Sequence, residues 1–153
     1  MHVNTSRFGG IEIGEEDVIT FPEGIIGFSD CKRYSLVVPE DGAPLKWLQS
    51  LERPDLAFVV IDPLSFIPEY SVEVSREEIN MLQLNDISEA RVLCIVVVTL
   101  DNIKDTRTNL RGPLVINPKT RIARQLVLSD KYPLRHILFH EGSGNACSQA
   151  QAR

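Results

Sequence analysis

The groups in this chain able to titrate or bind a metal are few. His136 and His140 are four residues apart and are followed by Glu141, in the string H-I-L-F-H-E. On a helix that spacing places two imidazoles on one face for zinc, and with nearby acids it would suit a small metal-dependent hydrolase. The local string L-R-H-I-L-F-H reads instead as strand alternation, and on a strand such residues share a face but stand about 13 Å apart, too far for one ion. Both histidines are therefore expected at the surface. Cys31, Cys94 and Cys147 are odd in number and widely spaced, with no C-x-x-C among them, which argues against a disulfide framework or a structural zinc and fits a reducing cytoplasm. The G-x-S-x-G, G-x-x-x-x-G-K-[ST] and G-x-G-x-x-G signatures are missing, and carboxylate pairs such as Glu15-Glu16 and Glu77-Glu78 read as solvated charge. No catalytic residue, metal or cofactor is expected.

One further string raises nucleic-acid chemistry. Gly24-Ile-Ile-Gly27 has the letters of the G-x-x-G loop with which KH domains clamp a phosphate backbone. Its neighbours are Glu23 and Asp30, with no lysine or arginine between Phe21 and Cys31, so a phosphate would gain nothing there. The string is expected to be a β-corner, its glycines turning the chain and Phe21 and Phe28 anchoring the ends in the core. The formal charge of −5 is unevenly spread. Residues 1–90 hold 17 acidic against 6 basic residues, and residues 91–153 hold 4 against 10. Direct RNA binding through Arg107, Arg111, Lys119, Arg121 and Arg124 is the least favoured reading, because few aromatics accompany them for base stacking.

The elements that must position these groups are mostly strands. Short β-type segments broken by turn residues every 8 to 15 positions predict an all-β, mostly antiparallel, single-domain fold of β-barrel type with one or two short helices. Ile11 and Ile13 are expected to pair with Val18, Ile19 and Phe21 in a hairpin-like unit. Tyr34–Val38 reads as a strand, followed by a turn at Glu40–Gly42. Leu56–Ile61 and Arg91–Leu100 are continuous apolar runs, expected as central strands covered on both faces. Leu114–Ile116 and Ile122–Leu128 are joined by N-P-K-T, a hairpin turn. Trp47–Leu51, between Pro44 and Pro54, is expected to form a turn or two of helix. Ser75–Glu78 matches a capping box and opens a helix ending near Asn85. Residues 1–139 are read as the domain, and 140–153, rich in Gly, Ser, Gln and Ala, as a mobile tail. The longest apolar run, Val92–Val98, is far short of the roughly 20 residues that cross a bilayer, so no membrane is expected as a partner. No apolar stretch of a secretory signal is visible at the N-terminus.

Two loop strings, Asp62–Tyr70 and Thr108–Asn117, read as barrel corners or as a protein-binding rim, with Phe66 or Tyr70 as the natural aromatic anchor. With these in view the chain resembles the FliW family of flagellar assembly factors. The resemblance rests on R-F-G-G-I-E-I (Arg7–Ile13), I-T-F-P-E-G-I-I-G-F (Ile19–Phe28), W-L-Q-S-L (Trp47–Leu51), P-D-L-A-F-V-V-I-D-P (Pro54–Pro63) and N-L-R-G-P-L-V-I-N (Asn109–Asn117), five strings in family order. Together they span roughly residues 3–135; Gly112 stands where the family pattern has alanine, and the tail is not part of the pattern.

The resemblance implies a compact β-barrel-like protein that is not an enzyme and acts in the bacterial cytoplasm through two competing protein partners. One is flagellin, held at its C-terminal region before export. The other is CsrA, a dimeric RNA-binding regulator that represses translation of flagellin messages and is antagonised allosterically. Glu15, Glu16, Phe66, Glu69, Tyr70, Glu73, Asn109 and Arg111 are the expected partner-binding residues, the acids because they would steer a basic partner. A monomer without direct nucleic-acid contact is expected.

Overall fold

The computed structural model describes residues 1–38, 45–97 and 106–128 in full and residues 136–137 as backbone. The turn at Glu40–Gly42, His140 and the segment 140–153 lie outside the described residues. Strands dominate: β1 (His2–Thr5), β2 (Gly9–Glu12), β3 (Val18–Thr20), β4 (Arg33–Val37), β5 (Lys46–Ser50), β6 (Ala57–Ile61), β7 (Arg91–Val97), β8 (Arg107–Thr108), β9 (Leu114–Ile116), β10 (Ala123–Gln125) and β11 (His136–Ile137). The helical part among the described residues is α1 (Arg76–Met81) and 3-10 turns at Glu15–Asp17, Pro63–Ser65 and Ile87–Glu89.

The large sheet runs β10-β9-β7-β6-β5-β4-β3, with β8 on β7 and β11 on β8, every neighbour antiparallel. Its two ends meet: Thr20 at the end of β3 bridges Ile122, just before β10, and the Thr20 N–H donates to the Arg121 carbonyl at 2.9 Å. That contact turns an open sheet into a nearly closed barrel. The predicted mostly antiparallel, barrel-like class is the observed one.

The apolar runs explain themselves in two cores. Along β7, Leu93 and Ile95 face one cluster with Phe21, Tyr34, Leu48 and Leu114, while Val92, Cys94 and Val96 face another with Phe66, Tyr70, Leu82 and Leu110. β6 alternates likewise, Phe58 and Val60 with the first cluster and Val59 and Ile61 with the second. Strict period-two alternation with apolar partners on both faces is what a continuous apolar strand requires. The second cluster is closed by residues 62–90, which carry α1 across the outer face of the barrel. The Ser75–Glu78 capping box forms as predicted. The helix stops at Met81, short of Asn85, because Gln83 takes φ +58° and the Leu84 N–H closes back on the Ile79 carbonyl at 3.0 Å. Asn117 then pins the helix end to the β9–β10 hairpin, its Nδ2 donating to the Leu82 carbonyl at 2.8 Å.

Two expectations are corrected. The predicted helical turn at Trp47–Leu51 is strand through Ser50: Trp47 pairs with Val37 on one side and Val59 on the other, two ladders that no helical turn could supply. Flanking prolines bound a strand as readily as a helix. The N-terminal unit pairs differently as well. β2 turns back onto β1 rather than onto β3, and β3 pairs with β4. The turn that decides this is local: Gly9 takes φ +68°, while Thr5 Oγ1 accepts the Phe8 N–H at 2.8 Å and donates to the Gly9 carbonyl at 2.9 Å.

Candidate functional site

The chemistry of the titratable groups is quiet. Among the described residues no group of three His, Cys, Asp or Glu could hold a metal ion. The backbone of His136 pairs with Thr108 in the β11–β8 ladder. Cys31 and Cys94 are buried free thiols. Burial pushes the Cys94 thiol up to about 12, and its S–H lies 3.9 Å from the Tyr70 hydroxyl. Burial likewise raises the Tyr34 phenol above its ordinary value. Neither group is poised for reaction at neutral pH.

Glu15 and Glu16 head the exposed 3-10 turn between β2 and β3, with Asp17 beside them. Glu69 and Glu73 are exposed on the connection from β6 to α1. Phe66 and Tyr70, the expected aromatic anchors, are instead buried in the outer core at 6% exposure each. The Tyr70 hydroxyl donates to the Leu110 carbonyl at 2.6 Å, so this ring ties one loop to another rather than presenting itself to a partner. Asn109 is a turn former: its Oδ1 accepts the N–H groups of Arg111 at 3.1 Å and Gly112 at 2.9 Å. Arg111 is partly buried, and its carbonyl accepts from Leu128 at 2.7 Å.

Arg124 is paired with Glu23 at 2.6 Å, and the Nε atoms of Arg121 and Arg124 are buried. The Gly24–Gly27 string is the expected corner. Both glycines have positive φ, +71° and +91°, and the Phe28 N–H closes on Ile25 at 2.7 Å. Phe21 is fully buried against Tyr34, and Phe28 packs edge-on to Phe58 with ring centroids 5.2 Å apart.

Two glutamines that the sequence reading passed over organise the loops. Gln125 joins the corner to the 109–113 loop: its Oε1 accepts the Ile26 N–H at 2.8 Å and its Nε2 donates to the Gly112 carbonyl at 3.0 Å. This places Ile26, 66% exposed, and Val127, 71% exposed, on the outer surface of the same region. Gln49 does the equivalent at the other end, where its Nε2 faces the carbonyls of the turn between β5 and β6. Beside it Arg7 stacks on Trp47 with its guanidinium carbon 4.3 Å from the ring centroid, and Phe8 meets the same ring edge-on at 5.9 Å. The available signal was a glutamine beside a second polar residue inside a largely apolar string, W-L-Q-S-L and A-R-Q-L-V-L.

Comparison with known proteins places this architecture. The family model described as FliW protein matches residues 2–138. The flagellar assembly factor FliW of Natranaerobius thermophilus is 43% identical over 142 residues, covering 92% of this chain and 94% of that one. Its counterpart in Geobacter sulfurreducens is 40% identical over 144 residues, covering 94% and 89%. A crystal structure of the flagellar assembly factor FliW superposes with a TM-score of 0.85 at 34% identity, covering 94% of this chain and all of that one.

Proposed function

The chain belongs to the FliW family of flagellar assembly factors, and from that premise we propose that it is a partner-switching regulator and not an enzyme. It holds flagellin in the bacterial cytoplasm and, when free of flagellin, binds CsrA and relieves repression of flagellin messages. The observation that carries the reading is the family match over most of the chain; the exposed acids at Glu15, Glu16 and Asp17 are consistent with it. If the two partners exclude each other, each weakens the other by the same factor. Glu15, Glu16, Glu69 and Glu73 form the proposed steering surface toward a basic partner. The buried Phe66 and Tyr70 are withdrawn from it, and Asn109 and Arg111 contribute by holding their loop.

The test is a binding assay with purified CsrA, repeated with excess flagellin. Binding that flagellin displaces supports the switch; failure to bind either protein removes it and leaves the fold untouched. The steering component has its own readout. Association with CsrA slows steeply as salt rises from tens to hundreds of millimolar, over which the Debye length falls toward about 8 Å. A flat salt response sinks that component alone.

A further inference from the structure

Among the described residues, two that are not glycine hold a positive φ, Gln83 at +58° and Arg121 at +64°. Such a backbone costs energy in an L-residue and persists only where its surroundings hold it. The two stand far apart in sequence, one just past the end of α1 and the other just past the N-P-K-T turn, yet both are bonded to Asn117. The Asn117 Nδ2 donates to the carbonyls of Leu82 at 2.8 Å and Gln83 at 3.2 Å. Its Oδ1 accepts the N–H groups of Lys119 at 2.9 Å and Thr120 at 3.3 Å, and its carbonyl accepts the Arg121 N–H at 2.8 Å. Arg121 in turn offers the carbonyl that receives the Thr20 N–H, the bond that closes the barrel. Asn117 is 4% exposed, so water does not readily replace a bond that it loses.

One amide plane thus serves the helix end with its nitrogen and the turn with its oxygen. If the end of α1 lifts, the nitrogen becomes a buried donor without an acceptor. It recovers one only by rotating, and rotation takes the oxygen away from Lys119 and Thr120. The turn then no longer holds Arg121 in the left-handed region, and its relaxation swings the carbonyl away from Thr20. We infer that the end of α1, the 117–121 turn and the Thr20–Ile122 seam open as one unit, latched by Asn117. The latch makes the fold a switch. The 62–90 segment that carries α1 also carries the exposed Glu69 and Glu73. A partner that grips this segment in its docked form tightens the seam, and one that lifts the segment loosens it. By linkage, whatever tightens the seam strengthens the first kind of partner by the same factor. The device needs no particular partner, so it stands or falls apart from the flagellin and CsrA reading.

Native-state hydrogen exchange on the full isotope-labelled chain tests this with two reporters, the Leu84 amide, bonded to Ile79 at the helix end, and the Thr20 amide at the seam. Both should exchange through one opening, with the same dependence on urea and faster than Val60 in the central strand β6. Gln83→Gly relieves the left-handed residue at an exposed position beside α1, and should slow Leu84 and Thr20 alike by about fivefold or more. Arg121→Gly, acting from the seam side, should slow the same two amides together. In an Asn117→Ala background each glycine substitution should slow only its own reporter. If that background does not fold, the two single variants decide the matter through their reciprocal effects. A Thr20 rate unmoved by Gln83→Gly, a Leu84 rate unmoved by Arg121→Gly, or a Thr20 rate equal to that of Val60 overturns the proposal. Coupling that survives Asn117→Ala overturns it as well.

Discussion

Gly24 and Gly27 share a positive φ but differ in what a side chain would meet. A Cβ on Gly24 would fall 2.6 Å from the Ser29 Cα and 2.9 Å from the Phe28 carbonyl oxygen, whereas one on Gly27 would meet nothing within 4 Å. Gly27→Ala should therefore cost only the left-handed backbone penalty, about 1–2 kcal/mol. Gly24→Ala should cost clearly more, since backbone must move as well. Urea unfolding midpoints of the two variants decide it, and equal losses would refute the steric part of the argument. Tyr70→Phe removes the hydroxyl that satisfies the Leu110 carbonyl, and should lower stability by about 1–3 kcal/mol while leaving partner affinity unchanged. A variant with native stability and weakened partner binding would return Tyr70 to the interface. From the sequence alone, Tyr70 looked like an interface anchor because it sits among prolines and acids. Nothing in a string of letters says that Leu110, forty positions away, supplies a carbonyl for it.

At the scale of elements, the α1 cap and three carboxylates carry measurable consequences. Ser75→Ala removes the side-chain half of the capping box, the Glu78 N–H to Ser75 Oγ bond, and should cost about 1 kcal/mol, read as a shifted thermal midpoint. Hydrogen bonds from the backbone N–H groups of Lys32 and Arg33 hold the Glu52 carboxyl below its ordinary value. Ser88 does so for Asp86, and the Asn85 and Asp86 N–H groups for Glu89. Because each folded-state value is depressed, their stabilisation is complete above the ordinary values of 4.5 for Glu52 and Glu89 and 3.8 for Asp86. It is lost as the pH falls through the lower folded values. The melting temperature should decline in acid below about pH 4.5, and Glu52→Gln should flatten part of that decline. Elements with a local cause were legible: the capping box, the hairpin through N-P-K-T, the two-faced strands β6 and β7. Trp47–Leu51 was not, because five residues between prolines fit one helical turn and one strand equally well. The ladders that choose strand come from outside the segment, from Val37 in β4 and Val59 in β6. The N-terminal pairing failed for a related reason: the hydrophobic alternation of Ile11 and Ile13 suits either neighbour, and the choice lies with the turn that Thr5 and Gly9 build.

For the molecule as a whole, the charge imbalance between the two halves of the chain was plain from composition, but its arrangement was not. The structure exposes Glu15, Glu16, Glu69 and Glu73 while pairing Arg124 with Glu23. Reversal of two of the exposed acids, Glu15→Lys with Glu16→Lys, should slow association with CsrA severalfold at low salt and leave the dissociation rate and thermal stability close to native. Stopped-flow mixing at two salt concentrations separates these quantities, and an effect confined to dissociation would place the pair inside the contact rather than around it. The seam between Thr20 and Ile122 adds a temporal constraint. Its two sides leave the ribosome about 5–20 s apart at roughly 5–20 residues per second. Until residue 122 emerges, β3 waits with one unpaired flank, a sticky edge in a crowded compartment. The nascent barrel therefore passes through a stage in which it is most open to unwanted strand pairing, and slowing translation late in the message should lower soluble yield more than slowing it early.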